Sequence, residues 1–288
     1  MDAAIDRLVA LVPPPAAPVD EDGDWPVAEA ALGLALPADF KALLRTYGVG
    51  VFDDVRLLTP FDTHPDGVFD LVESARVLIP WFEDLRAEVP EDFPFPLYPE
   101  PGGLLPWAKT GDGADLCWLT EGQPDSWPTA AWNIRGGGHR YDMIATELLY
   151  RYLSGQLHVE LLRPAPAEPW FDPYRERWEV SVALAPSDVP YEVRLRILRE
   201  HLAPTADRGS HEDALGRRQD QFKVVERDWL LTFHETGYAA DWIQVAFPPE
   251  DNRDARALIR AAVQAMGSWM LSATRNAQPV WSAGEGDV

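Results

Sequence analysis

A chain of 288 residues with 46% hydrophobic residues, twelve tryptophans and a formal net charge of −22 has enough apolar content for a large core and length enough to favour two domains. Its acidity argues against binding nucleic acid or anionic lipid, which basic residues must neutralise, and no apolar run approaches the roughly eighteen residues that cross a bilayer. A single cysteine, Cys117, excludes an internal disulfide framework and a cysteine-rich zinc site, and with a first segment lacking a basic and an apolar leader region it points to the cytoplasm.

In chain order, "DWPVAEAALG" predicts a helix capped by Asp24, with Pro26 in its first turn and Gly33 at its end. Pro37 opens a second helix, whose Phe40, Leu43, Leu44 and Tyr47 fall at i, i+3, i+4 and i+7 on one apolar face and which Gly48 closes. "VFDDVRLLTP" reads as one short strand, and "GVFDLVESARVLIPWFEDLRAEVP" as one helix or two, with breaks at Pro80 and Pro90. "LLPWAKT", "ADLCWLT" and "TAAWNI" are short apolar runs between Gly, Asp and Pro turns, the pattern of small antiparallel strands. "IRGGGHRYD", with Gly136 to Gly138, lacks the lysine and spacing of a phosphate-binding loop and reads as a strand-to-helix connection. "YDMIATELLYRYLSGQL" returns to helical spacing.

These elements make a first domain over 1–162, followed by a proline-rich linker over 163–177. In 178–288 the order β, α, β, β, α, β is that of a ferredoxin-like unit, with "APTADRGSHEDALGRRQD" as an exposed loop. The expected fold class is therefore α+β throughout. No internal repeat is visible, and nothing in the second domain signals an active site.

Charge is unevenly placed. Residues 1–165 hold 27 Asp and Glu against 11 Lys and Arg, −16, and residues 166–288 hold 20 against 14, −6. Such a field either attracts a basic partner or serves solubility alone. No catalytic constellation accompanies it. Six histidines lie outside any recognisable catalytic pattern, Cys117 sits in an apolar strand-like run, and adjacent carboxylates such as Asp53 and Asp54 or Glu83 and Asp84 are too common in so acidic a chain to signal acid/base work. "GDGADL" lacks the alternating ligands and distant glutamate of a calcium loop. The acidic residues beside predicted turns, Asp53, Asp54, Asp112, Asp115, Glu121 and Asp125, are the candidate rim of a partner-binding surface, with Trp127 in "PDSWPT" as a candidate exposed aromatic anchor. No metal, cofactor or catalytic residue is expected.

The opening helices carry a longer pattern: Trp25, Glu29, Leu32, Gly33, Leu36, Pro37, Asp39, Phe40, Lys41, Leu43, Leu44, Tyr47, Gly48, Gly50 and Phe52. In that spacing they resemble the N-terminal signature of the SUKH superfamily (Smi/Knr-type), and "LLPWAKTGDGADLCWLT" and "YDMIATELLYRYLSG" are similar to its central strands and closing helix. The resemblance covers about 20–158. It implies a mixed sheet flanked by helices, used as a non-enzymatic protein-binding module, with many bacterial relatives acting as immunity proteins that silence a cognate, often nuclease-type, toxin. Such toxins tend to be basic, and an acidic inhibitor suits them. The alternative is a cytoplasmic regulatory or structural adaptor without a toxin.

Overall fold

The computed structural model describes residues 3–20, 23–61, 70–111, 113–133, 137–165, 167–237 and 240–281. The chain divides into two units, 1–174 and 175–288.

In the first unit the elements are α1 (Ala3–Leu11), α2 (Trp25–Leu32), α3 (Ala38–Tyr47), β1 (Gly50–Phe52), β2 (Val55–Leu57), α4 (Leu71–Glu88), β3 (Leu104–Thr110), β4 (Asp115–Leu119), β5 (Thr129–Asn133), β6 (Gly137–Tyr141), α5 (Ala145–Leu153) and β7 (Phe171–Pro173). The strands form one sheet in the order β6-β5-β4-β3-β2-β1-β7. Every strand pair in it is antiparallel. The sheet expected to be mixed is thus antiparallel, with β1 to β6 in sequential order and β7 added beside β1, and among the described residues parallel pairing is confined to isolated bridges such as Val19 to Gly48.

Side chains alternate across a strand, and β4 shows how the layers divide. Leu116 and Trp118 join the core formed with α1, α3 and α5, whereas Cys117 and Leu119 pack with Ile79 and Phe82 of α4. The sheet is therefore covered on both faces. Asp24 caps α2 by accepting from the Val27 amide at 3.1 Å, and Gly33 closes it in the left-handed conformation (φ 72°, ψ 19°). Gly48 also closes its helix, donating its amide to the Leu44 carbonyl at 2.7 Å, but with another backbone geometry. Its φ of 71° and ψ of −162° are not left-handed helical. A Cβ there would lie 2.3 Å from the Val19 carbonyl oxygen, so the chain passes too closely for any other residue.

Local signals mislead at four places. "VFDDVRLLTP" forms two strands, because Asp53 takes a positive φ of 52° and turns the chain into a hairpin. Pro80 does not break α4, which runs unbroken from its Asp70 cap to Glu88. "GGHRY" becomes the edge strand β6, paired from Thr129 to Asn133. Within the proline-rich stretch read as a linker, Phe171–Pro173 pairs with β1 as β7, and Phe171 packs its ring 4.6 Å from Phe52 and 5.1 Å from Tyr47. Sequence reading also missed α1, whose Ile5 and Leu8 enter the core together with Val12 just past its end.

The second unit contains β8 (Trp178–Leu184), α6 (Tyr191–His201), β9 (Thr205–Glu212), β10 (Arg218–Val224), β11 (Trp229–His234), β12 (Trp242–Phe247), α7 (Asn252–Ala265), β13 (Met270–Arg275) and β14 (Gln278–Pro279). Its sheet order is β14-β13-β8-β12-β11-β10-β9. The inner run β13-β8-β12-β11 has the ferredoxin-like order, widened by the β9–β10 hairpin and by β14. The stretch expected as an exposed loop forms β9 and the start of β10. Its charged residues and Gly209 disguise it as a loop because edge strands commonly carry such residues against unwanted pairing. Val180, Val182, Ile243, Val245, Leu231 and Phe233 share one core with Leu198 of α6 and Ile259 of α7. Arg194, 4% exposed, stands in that layer, giving hydrogen bonds to Asp241 at 2.6 Å and Glu235 at 3.5 Å.

Candidate partner-binding site

The signature of the opening helices is spent on holding the first unit together. Glu29 accepts from the Leu36 amide at 2.7 Å and from Lys41 Nζ at 2.5 Å, and Lys41 lies over the Trp25 ring at 5.5 Å. Burial works to raise the Glu29 pKa, but the Lys41 and Leu36 hydrogen bonds outweigh it and hold the carboxyl below its usual range. Buried Asp39 accepts from both the amide and the hydroxyl of Thr146, at 3.2 and 2.9 Å, and so anchors α3 to the start of α5. Phe40 meets Trp118 edge-on at 4.8 Å. Tyr47 donates its hydroxyl to the Val12 carbonyl at 2.6 Å. A Cβ on Gly50 would collide with the Phe171 ring and the Asp172 backbone. Leu32, Leu36 and Leu44 are core residues.

The candidate rim residues fall into two groups, separated by the length of β4, about 15 Å. At one end, Asp53 and Asp54 form the β1–β2 turn, and Asp54 accepts from the Gly111 amide at 3.0 Å, tying that turn to the β3–β4 turn. Asp115 opens β4 opposite Lys109. Asp112 lies outside the described residues. At the other end, exposed Glu121 accepts two hydrogen bonds from Arg140, at 2.8 and 3.3 Å, and these hold its pKa below the usual carboxylate range. Asp125 accepts from the Ala38 amide at 2.7 Å and so caps α3, which Pro37 cannot do. Replacing Asp125 with alanine is expected to cost about 1 kcal/mol of stability, read from urea midpoints, because the first turn of α3 loses its cap.

Trp127, chosen from sequence as an exposed anchor, is only 3% exposed and packs 6.1 Å from Trp118. Its loop folds over the core because its neighbour Pro128 accepts from the Leu119 amide at 2.9 Å. Among the described residues of this unit the large aromatic that does face water is Trp81, 51% exposed on α4, beside Val77 at 56%. The signal for it was a helix apolar on more than one side, in "ARVLIPWF".

Two of the acidic groups titrate in an unusual range. Burial first, and then Asp54, push the Asp53 carboxyl up to about 6 against the opposing pull of Arg163; burial pushes Asp115 up to about 6 against Lys109. An unfolded aspartate titrates at about 3.9. The folded state therefore binds more protons between these values, and the stability the site contributes is present below pH 4 and lost as pH rises through 6. Asp115→Asn is expected to stabilise the chain by about 1–3 kcal/mol at pH 8 and by little at pH 4, measured by urea unfolding at both. Burial likewise pushes the Cys117 thiol well up, which leaves it a poor nucleophile. Among the described residues no group of three or more His, Cys, Asp or Glu could hold a metal, and no helix is long and apolar enough to cross a membrane.

With this geometry in place, residues 22–146 match the SUKH_6 family model, described as SMI1-KNR4 cell-wall. No curated protein and no solved structure matches the chain.

Proposed function

We propose, from the premise that residues 22–146 form a SUKH superfamily domain, that the first unit is a non-enzymatic platform that grips a basic partner protein and neutralises it by occlusion, as an immunity protein does to a nuclease-type toxin. The observation that carries this reading is the family match together with the −16 charge of residues 1–165. The same field speeds the encounter with a basic surface and disfavours phosphate-bearing ligands. Asp53, Asp54, Asp115, Glu121 and Asp125 contribute to that field, and Asp112 is proposed with them. Several also hold the fold, as the Gly111, Arg140 and Ala38 bonds make plain.

The test is affinity capture from the native lysate with the full chain as bait, at low ionic strength and again at about 1 M salt, where screening acts over only about 3 Å. A basic protein captured in the first condition and lost in the second supports the reading. Capture of an acidic protein, or capture unchanged by salt, overturns its electrostatic part. If the captured protein arrests growth when expressed alone and not when co-expressed with this chain, the partner is a toxin; a captured protein harmless by itself identifies the adaptor role instead.

A further inference from the structure

Along α4, Val77, Pro80, Trp81, Asp84 and Glu88 fall at i, i+3, i+4, i+7 and i+11, a single stripe on the side opposite the buried Ala75, Ile79 and Phe82. Its first half is apolar and open to water, with Val77 and Trp81 both more than half exposed. Single exposed apolar residues are ordinary, but a tryptophan beside a valine on one stripe makes a patch. Pro80 adds a polar feature to it. Lacking an amide hydrogen, it leaves the Arg76 carbonyl without the helical donor it would otherwise have.

The second half of the stripe is acidic. Asp84 and Glu88 on the stripe, with Glu83 beside it on α4 and Glu91 just past its end, are exposed and make no salt bridge among the described residues, whereas Arg76 is engaged by Glu73 at 2.5 Å and Arg86 by Glu100 at 2.7 Å. The nearby cations are thus already committed, and the negative charge bordering the apolar patch is left for another molecule. A second copy of this chain, also at −22, meets that border with the same sign.

We propose that this outer stripe of α4 is the docking surface for a segment of a partner protein that carries an apolar anchor followed by lysine or arginine. The anchor covers Val77 and Trp81, its basic residues face Asp84 and Glu88, and a donor from it reaches the Arg76 carbonyl. This rests on the protein-binding reading above and places its apolar hot spot on α4, away from the β4 turns.

An unbiased displayed-peptide library selected on the full chain tests it, with binding of the enriched peptides then measured against wild type, Trp81→Ser and the double variant Asp84→Lys/Glu88→Lys. Both variants alter exposed positions, and circular dichroism checks that each is folded before binding is compared. The expected result is enrichment of basic peptides with an aromatic or aliphatic anchor, binding about tenfold more weakly to each variant, as loss of an aromatic anchor commonly causes. Peptides that bind Trp81→Ser as tightly as wild type overturn the α4 surface while leaving the protein-binding reading to the capture experiment. A selection that returns no binder overturns the surface as well. A wild-type dimer in sedimentation that Trp81→Ser abolishes makes the occupant a second copy and overturns the basic partner.

Discussion

Phe40→Ala is expected to destabilise the first unit by about 3–5 kcal/mol, the range for truncating a fully buried phenylalanine. Phe40 is completely buried and stands edge-on to Trp118 at 4.8 Å and to Trp107 at 6.4 Å, so its removal leaves a cavity walled by two rigid indoles held in the sheet. Such walls collapse poorly, which places the loss toward the upper end of the range. For a domain whose whole stability is of the order of 5–15 kcal/mol, this is a large share. Urea unfolding measures it, and hydrogen exchange locates it in peptides covering α3, β3 and β4. Phe40→Leu, which refills most of the space, is expected to cost clearly less. An alanine variant that loses under about 1 kcal/mol would show that α3 does not hold the sheet in this way.

Arg194→Ala is expected to cost about 3–5 kcal/mol in the second unit, because it strands partners rather than merely removing an attraction. Asp241 takes its hydrogen bond at 2.6 Å, and Glu235 takes Arg194 at 3.5 Å and Arg218 at 3.0 Å. Removing the guanidinium takes from Asp241 its charged partner, leaving it the Thr236 amide at 3.0 Å, and leaves Glu235 to Arg218, in a layer where the Phe233 ring lies 5.4 Å from the lost guanidinium. Taking the opposing charge away as well changes the outcome: Arg194→Met with Asp241→Asn is expected to recover part of the loss, since a buried pair replaced on both sides is often close to neutral. A strictly additive double variant would mean that the two side chains do not act as a pair. Hydrogen exchange of peptides from α6 and β11 gives the same answer without relying on a two-state fit.

Much of the first unit is legible in the sequence because its signals are short-range. Asp24, Pro26 and Gly33 bound α2, and the Phe40 to Tyr47 spacing names the buried side of α3. The SUKH-like signature was readable as a pattern, although its physical content was not. Glu29 falls within a predicted helix, yet it accepts from Leu36 and Lys41 beyond that helix; Gly48 reads as a helix terminator, yet it is also needed where Val19 passes. Acidity beside turns marks the candidate rim in the sequence, but a free carboxylate and one holding a backbone amide look alike there. Trp127 illustrates the same limit, since a loop sequence does not say whether the loop lies over the core.

What the sequence by itself determined was the α+β class, the helix faces, most strand positions in the first unit, and an acidic charge concentrated there. Only tertiary structure decided that Asp125 caps a helix 87 residues away, that β7 completes the first sheet, that Asp53 and Asp115 sit where their protons are held more tightly, and that Trp81 and not Trp127 meets water. The division has one cause. Propensity, capping and periodicity act over a few residues, whereas burial and the electrostatic surroundings of a side chain are set by segments brought together from distant parts of the chain.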